Sequence, residues 1–390
     1  MRVLLTGILP YVANFGTIGK DFTTRLSFRP QQIRTKAELN TALLTNGNTG
    51  NYLIGEGCLH ALKNADVTFV PFWALVNYLE DPERSRSYFA ENFDWLVVSS
   101  ANLLRSDYSA DAECQVFSQI PLPIMFMSLG GQRFEDLQQQ NLPQGTLDFI
   151  EMIKSKRHMV FTRGRQSEAF LRACGLENVL ATGCPSLYAF PDNMVASLRR
   201  LDGFEYDDST SCALHGYFSP HPIHSVEDIQ ALHNPKARMS YILQDETMFY
   251  GLELDAGDDD PVYDQTSGAI TVSCNHPLSG MKGLSLNIFF NTDQWRTWSA
   301  SFDFNTGRRL HGAIIAMQAG VPALPVAVDD RMREMLGYSG LPHLDTKIWS
   351  DNVTPSLINQ VIRSTDISQA IETYQANHEK FRGALSSIGF

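Results

Sequence analysis

Cysteine is sparse in this chain of 390 residues: six, at positions 58, 114, 174, 184, 212 and 274, and none in a CxxC pair. Such a density does not make a disulfide scaffold, and the expectation is a reducing compartment. Positive charge is short as well. Lys and Arg total 31 against 43 Asp and Glu, a formal net charge of −12. A protein that holds nucleic acid by its phosphates needs the opposite balance, so that class is excluded. No apolar run approaches the length of a membrane span. The opening stretch MRVLLTGILPYVANFG is broken by Gly7 and Pro10 and has no clear small-residue cleavage site after it. It is expected to be a first β-strand and not a signal peptide. Internal repeats and low-complexity tracts are missing. So are a Gly-x-Ser-x-Gly elbow and a Cys-His nucleophile arrangement.

Hydrophobic residues make up 43% and charged residues 19%, a globular composition. The length exceeds one ordinary core and suits two domains. FDWLVVSS, PIMFMSLGG, HMVFTRG and NVLATG read as buried strands, with helices such as RQSEAFLRACG between them. TALLTNGNTGNYLIGEGCLHAL reads as strand, glycine-rich turn and helix. Apolar strands alternating with helices predict parallel sheets covered on both faces. The pattern loosens after Pro191, and the polar stretch LDGFEYDDSTS marks a boundary. Beyond it, TWSASFDF, AIIAMQAG, VPALPVAV and RMREMLGYSG read strand, helix, strand, helix. The expected domains are residues 1–190, residues 205–365, and a closing helix over 366–390 that packs back toward the first. Ligands of open parallel sheets sit outside the carboxyl ends of strands. Loops at 46–51, 128–132, 162–165 and 306–311 lie at such ends.

Arginine gathers in those loops. GRRLHGAIIAMQAG sets Arg308, Arg309 and His311 where a strand hands over to a helix. Unpaired amides there carry partial positive charge, arginine adds a fork that matches phosphate or carboxylate, and histidine offers a proton. An ion pair and a capped histidine would satisfy the same residues without any ligand. TNGNTGNYLIGEG is a second strand–turn–helix nest, with Asn48, Gly50 and Asn51 in its turn. Glycine there is expected to supply left-handed dihedrals that turn amides inward. It is neither a Walker loop nor a dinucleotide fingerprint, and a purely structural tight turn fits it too. FTRGRQSEAF places Arg163 and Arg165 before a helix, where arginine opposes the dipole and needs another partner, a carboxylate or an anionic ligand. His215, His221, His224 and His233 complete no metal-ligand spacing and are expected in solvated loops. The acidic run GDDDP is expected to be an exposed loop, so no metal site is expected.

Together these elements resemble the polysaccharide pyruvyl transferase family. GNTGNYLIGEG stands where that family has a Gly-Asn-x-Gly-Asp turn. TRGRQSEAFLRACGLENVLATGCPSL is similar to its Arg-x-x-x-Ser helix and Thr-Gly-Asp-Pro turn. GRRLHGAIIAMQAGVPALPVAVDDRMREML is similar to its Arg-Leu-His element. The match is specific in the last two blocks and loose over residues 190–300. It implies two Rossmann-like α/β domains facing a cleft, like the GT-B glycosyltransferases. It also implies pyruvate transfer from phosphoenolpyruvate onto a sugar of a cell-surface glycan as a cyclic ketal. Arg309 and His311 take the positions of the donor-binding Arg and His, with Leu310 between them, and Arg163 that of the mid-chain Arg. Asn48, Gly50 and Asn51 fall on the acceptor side. Three positions depart from the pattern: Asn51 for Asp, the stretch Ser99–Asn102 for a glycine cluster, and Cys184 for the Asp before Pro185. The implied partners are phosphoenolpyruvate and a glycan or lipid-linked sugar acceptor, with no cofactor. The implied place is the cytoplasm, beside membrane-bound glycan machinery. A nucleotide-sugar-dependent glycosyltransferase and a non-catalytic glycan-binding protein are the alternatives.

Overall fold

The computed structural model describes residues 1–8, 15–18, 25–28, 35–39, 42, 48–134, 137–216, 225–244, 262–263, 269–271, 281–347 and 353–390. Two parallel-stranded sheets organise them. The first contains β1 (Arg2–Gly7), β2 (Phe15–Ile18), β3 (Arg25–Phe28), β4 (Asp66–Phe69), β5 (Trp95–Ser99), β6 (Asn102–Leu104), β7 (Ile124–Gly131), β8 (Met159–Thr162) and β9 (Val179–Ala181). Its order is β3-β2-β4-β1-β5-β7-β8-β9, with β6 on β7, and only β2–β3 is antiparallel. The second contains β10 (Cys212–His215), β11 (Met239–Ile242), β12 (Val262–Tyr263), β13 (Ile270–Thr271), β14 (Leu284–Ile288), β15 (Phe304–Gly307), β16 (Ala323–Ala327) and β17 (Leu344–Asp345). Its order is β12-β13-β14-β11-β10-β15-β16-β17, antiparallel only at the β12–β13–β14 edge. Two Rossmann-like α/β halves thus face one another, an arrangement of the GT-B kind.

Period-two alternation sorts the first sheet's side chains onto two faces. Val3, Leu5, Val97, Met125 and Met127 enter a core that continues through the helix Tyr52–Ala61 into the second sheet. Leu4, Leu96, Val98, Ile124 and Phe126 enter a separate core beneath the helix Gln144–Ser155. Strands buried on both faces account for the unbroken apolar runs of β5 and β7. The helix Ile367–Ser387 returns to the first sheet: the ring of Phe381 lies 6.3 Å from Phe161, and Phe390 lies 5.9 Å from Trp95. No helix among the described residues is long and apolar enough to cross a membrane. Cys58, Cys114, Cys174, Cys184 and Cys212 are free thiols, and Cys274 lies outside the described residues.

Three expectations are corrected. In the segment expected as a strand before the Asn48 turn, Ala42 is helical instead; residues 41 and 43–47 lie outside the described residues. TWSASFDF is mostly not strand. Asn291 caps a helix over Thr292–Ser299 by accepting from the amide of Gln294 (3.0 Å), and the buried ring of Trp295 stacks on Phe289, so only Phe304 joins β15. His215 is not in a solvated loop but fully buried at the end of β10. His233 is half-buried, with its ring on the carbonyl of Lys282. His221, His224 and the GDDDP loop lie outside the described residues.

A buried ion pair ties the halves together. Glu56, 1% exposed, accepts two bonds of 2.7 Å from Arg296, which also donates to Gln318. Burial pushes the Glu56 carboxyl up, against the pull of Arg296. Breaking such a pair leaves an uncompensated charge at a cost of roughly 3–5 kcal/mol. Glu56→Ala is therefore expected to lower stability by that amount in denaturant titration. A loss under about 1 kcal/mol, the range of exposed pairs, would show that the contact is solvated.

Candidate active site

Both sheets aim their carboxyl ends at one cavity of about 310 Å³. In the second half, the strand order reverses between β10 and β15, where His215 pairs with Gly307. A crevice opens at such a reversal because the connections leave to opposite faces. The chain there is tightly packed. Gly216 has φ +67°, and a Cβ on it would lie 1.9 Å from Cγ of Arg309. Cβ atoms on Gly307 or Gly312 would strike the ring of His215. The His215 carbonyl accepts from the amide of Arg308 (3.0 Å), and its Nε2 meets Asn305 Oδ1 at 2.7 Å. His215 thus forms the floor under the Arg308–Gly312 arc. Burial lowers its pKa to about 4, so the floor is neutral near pH 7.

Arg309 is the N-cap of the helix Leu310–Gln318, and His311 lies in its first turn. Burial first, then the charges of Arg163 and Arg331, lower the pKa of His311 to about 3. The imidazole is therefore neutral over the physiological range, able to accept a proton. Its Nε2 stands 3.9 Å from Cys184 Sγ, which lies 3.0 Å from Ser186 Oγ.

The first half supplies Arg163, 2% exposed. Its Nε donates to Ser128 Oγ (3.0 Å) and its terminal nitrogen to Asn102 Oδ1 (2.7 Å). Ser128 takes a left-handed φ of 68° where the β7–β8 register shifts, a bulge that re-aims its hydroxyl. Among the described residues, no carboxylate lies within ion-pair distance of Arg163. Burial lowers its pKa to about 10, which leaves it charged at neutral pH. A buried cation held by neutral groups at a cavity wall is suited to an anionic ligand.

The structure brings Arg163, Arg309, Leu310, His311, Asn48 and Asn51 onto this one cavity. Leu310, 5% exposed, offers only apolar contact. Gly50 stands behind the lining: a Cβ on it would meet Gln244 Oε1 at 2.4 Å and His311 Cβ at 3.1 Å. Its φ is not positive, so close approach and not a left-handed turn requires glycine there. Asn48 shapes the nest by accepting from the amide of Gly50 (3.1 Å), whereas Asn51 makes no side-chain cap. Arg308, which the Arg-Leu-His resemblance leaves without a role, lines the same cavity as Arg309.

Asn102, Arg105, Tyr108, Gln244 and Arg331 also line it and were not foreseen. Arg331 carried a legible signal, since VAVDDRMREML puts it just past a strand end, as in the loops of Arg163 and Arg309. Arg105 and Arg331 bond Asp107 (2.7 Å) and Asp329 (2.8 Å), neither of which lines the cavity. Among the described residues, the lining thus presents five arginines, one neutral histidine and no carboxylate.

The model of one family, polysaccharide pyruvyl transferase, matches residues 48–330. No curated protein matches the sequence significantly. Among solved structures, HepE of Anabaena in complex with UDP is 12% identical, with 100% of this chain and 98% of that one covered and a TM-score of 0.48. The UDP-GlcNAc 2-epimerase of Neisseria meningitidis bound to UDP-GlcNAc is 10% identical over 100% and 98% of the two chains, with a TM-score of 0.47.

Proposed function

The chain belongs to the polysaccharide pyruvyl transferase family, and from that premise we propose that it moves pyruvate from phosphoenolpyruvate onto a glycan or lipid-linked sugar as a cyclic ketal. The observation that carries this reading is the meeting of Arg163 from one half with Arg309 and His311 from the other on a cavity whose described lining residues include no carboxylate. Phosphoenolpyruvate presents a carboxylate and a phosphate on one small frame. Two guanidiniums on opposite walls can hold both groups and fix the central carbon between them.

His311 then has a single proton to move. As a neutral imidazole it takes the proton from a sugar hydroxyl. The hydroxyl oxygen bonds to the central carbon of the donor, and the proton passes from the imidazolium to the methylene, which becomes the methyl group. Phosphate leaves from the same carbon, a second sugar hydroxyl bonds in its place and the ring closes, releasing that hydroxyl's proton. Arg309 and the amides of the helix Leu310–Gln318 stabilise the departing phosphate. Asn48 and Asn51 lie on the acceptor side, where amides suit sugar hydroxyls.

The test is phosphate release from phosphoenolpyruvate across a panel of glycan acceptors, with UDP-sugars as the competing donors. Release of a nucleoside diphosphate, or tight glycan binding with no phosphate released, would overturn the proposal. Arg309→Lys keeps the charge but loses the fork. It is expected to cost about 1.5–3 kcal/mol of donor stabilisation, roughly 10- to 100-fold in kcat/KM for phosphoenolpyruvate. Wild-type kinetics would remove Arg309 from the donor site.

A further inference from the structure

Glu334 has no part in the chemistry above, yet it is 7% exposed in the helix Asp330–Ser339 and reaches across to the other half. Its two oxygens accept from the amide (2.6 Å) and the hydroxyl (2.9 Å) of Ser167, in the first turn of the helix Arg165–Ala173. Ser167, fully buried, accepts in turn from the amide of Gly131 at 3.0 Å. The turn between this helix and β8 is Arg163–Gly164. A Cβ on Gly164 would lie 2.4 Å from Cγ of Glu334, so the backbone directly after Arg163 rests on the glutamate's stem. A Cβ on Gly130 would lie 2.8 Å from Cδ of Arg163, so the other side is filled by the guanidinium's own stem. Gly164 is extended (φ −175°), which any residue can adopt, and only the lack of space demands glycine.

We infer that Glu334 is a positioning residue that holds Arg163 in place across the two halves, through Ser167 and the Arg163–Gly164 turn. The carboxylate sits at a helix N-terminus, where negative charge is favoured, and fixes the direction of the Ser167 hydroxyl. Arg331 is one turn earlier on the same helix and lines the cavity, so one rigid element sets an arginine from each half. This inference rests on the donor-site reading of the cavity.

Calorimetric titration of phosphoenolpyruvate into Glu334→Ala, Glu334→Gln, Ser167→Ala, Arg163→Lys and the double variant Arg163→Lys/Glu334→Ala tests it. Glu334→Ala is expected to weaken binding on the order of tenfold, as for a lost bond to a charged group. Glu334→Gln, which keeps the shape and one acceptor, recovers part of the loss. Ser167→Ala removes the hydroxyl bond of the same link and leaves the amide bond, so it gives part of the loss even if Glu334→Ala does not fold. The double variant binds within about twofold of Arg163→Lys alone, because residues acting through one another are not additive. In turnover, KM for phosphoenolpyruvate rises while kcat at saturation changes little. Fully multiplicative effects, or a lower Tm with unchanged affinity, would overturn the inference and leave Glu334 a structural tie. If Arg163→Lys itself binds as wild type, the donor-site reading fails and takes this inference with it.

Discussion

His311→Gln is expected to lower kcat by roughly 10²- to 10⁴-fold, the usual contribution of a positioned proton carrier. Glutamine keeps the size and a donor but neither takes nor delivers a proton. KM for phosphoenolpyruvate should change far less. The pH profile gives an independent check. In the free protein the imidazole pKa is lowered to about 3, first by burial and then by Arg163 and Arg331, so the neutral form persists down to that pH. A bound anion favours the imidazolium and raises that pKa. kcat/KM reports the free protein and kcat the complex. The acid limb of kcat should therefore lie at higher pH than the histidine limb of kcat/KM, and it should vanish in His311→Gln. Coincident limbs, or an affinity loss without a kcat loss, would reduce His311 to a phosphate contact.

Arg163→Met is expected to separate function from stability. Two charge-assisted bonds to the donor are lost, each worth about 1.5–3 kcal/mol, so kcat/KM falls roughly 10²- to 10⁴-fold. The fold should not suffer equally. The guanidinium is 2% exposed and is held by Ser128 and Asn102, both neutral, so among the described residues no carboxylate within reach offsets the burial of its charge. A methionine of similar length removes that desolvation penalty. Tm in the absence of donor should hold or rise, as when a residue kept for binding is replaced. A steep drop in Tm would mark Arg163 as a structural cation.

How far the site was legible follows from where its parts sit in the chain. Arg163, Arg309 and His311 stand beside a strand end and a helix start, and that local pattern predicts a place at the carboxyl edge of a parallel sheet. Arg331 obeys the same rule and could have been found by it. Gln244 and Asn102 follow no such pattern, for they reach the cavity only through the pairing of β11 with β10 and of β6 with β7. His215 shows the limit most clearly. As one of four histidines between positions 215 and 233 with no metal-ligand spacing, it reads as solvated. Only the pairing of β10 between β11 and β15 buries it beneath Gly307 and Gly312. The helix over Thr292–Ser299 was missed because Trp298 and Phe302 also suit a strand, and the choice rests on Trp295 finding Phe289 to stack on.

By itself the sequence determined the class: buried apolar strands alternating with helices can only be satisfied by covered parallel sheets, and an acidic chain with few cysteines rules out disulfide scaffolds and non-specific nucleic-acid binding. It also determined which arginines end strands, because hydrophobic periodicity stops where they begin. Tertiary structure alone decided that Arg163 and Arg309 share one cavity, that Glu56 finds Arg296 240 positions away, and that Glu334 reaches Ser167. Those pairings depend on how the two sheets are set against each other. That setting is a property of long-range packing, in which small residues such as Gly50 and Gly164 matter for the side chains they lack, and no local spacing in the chain encodes it.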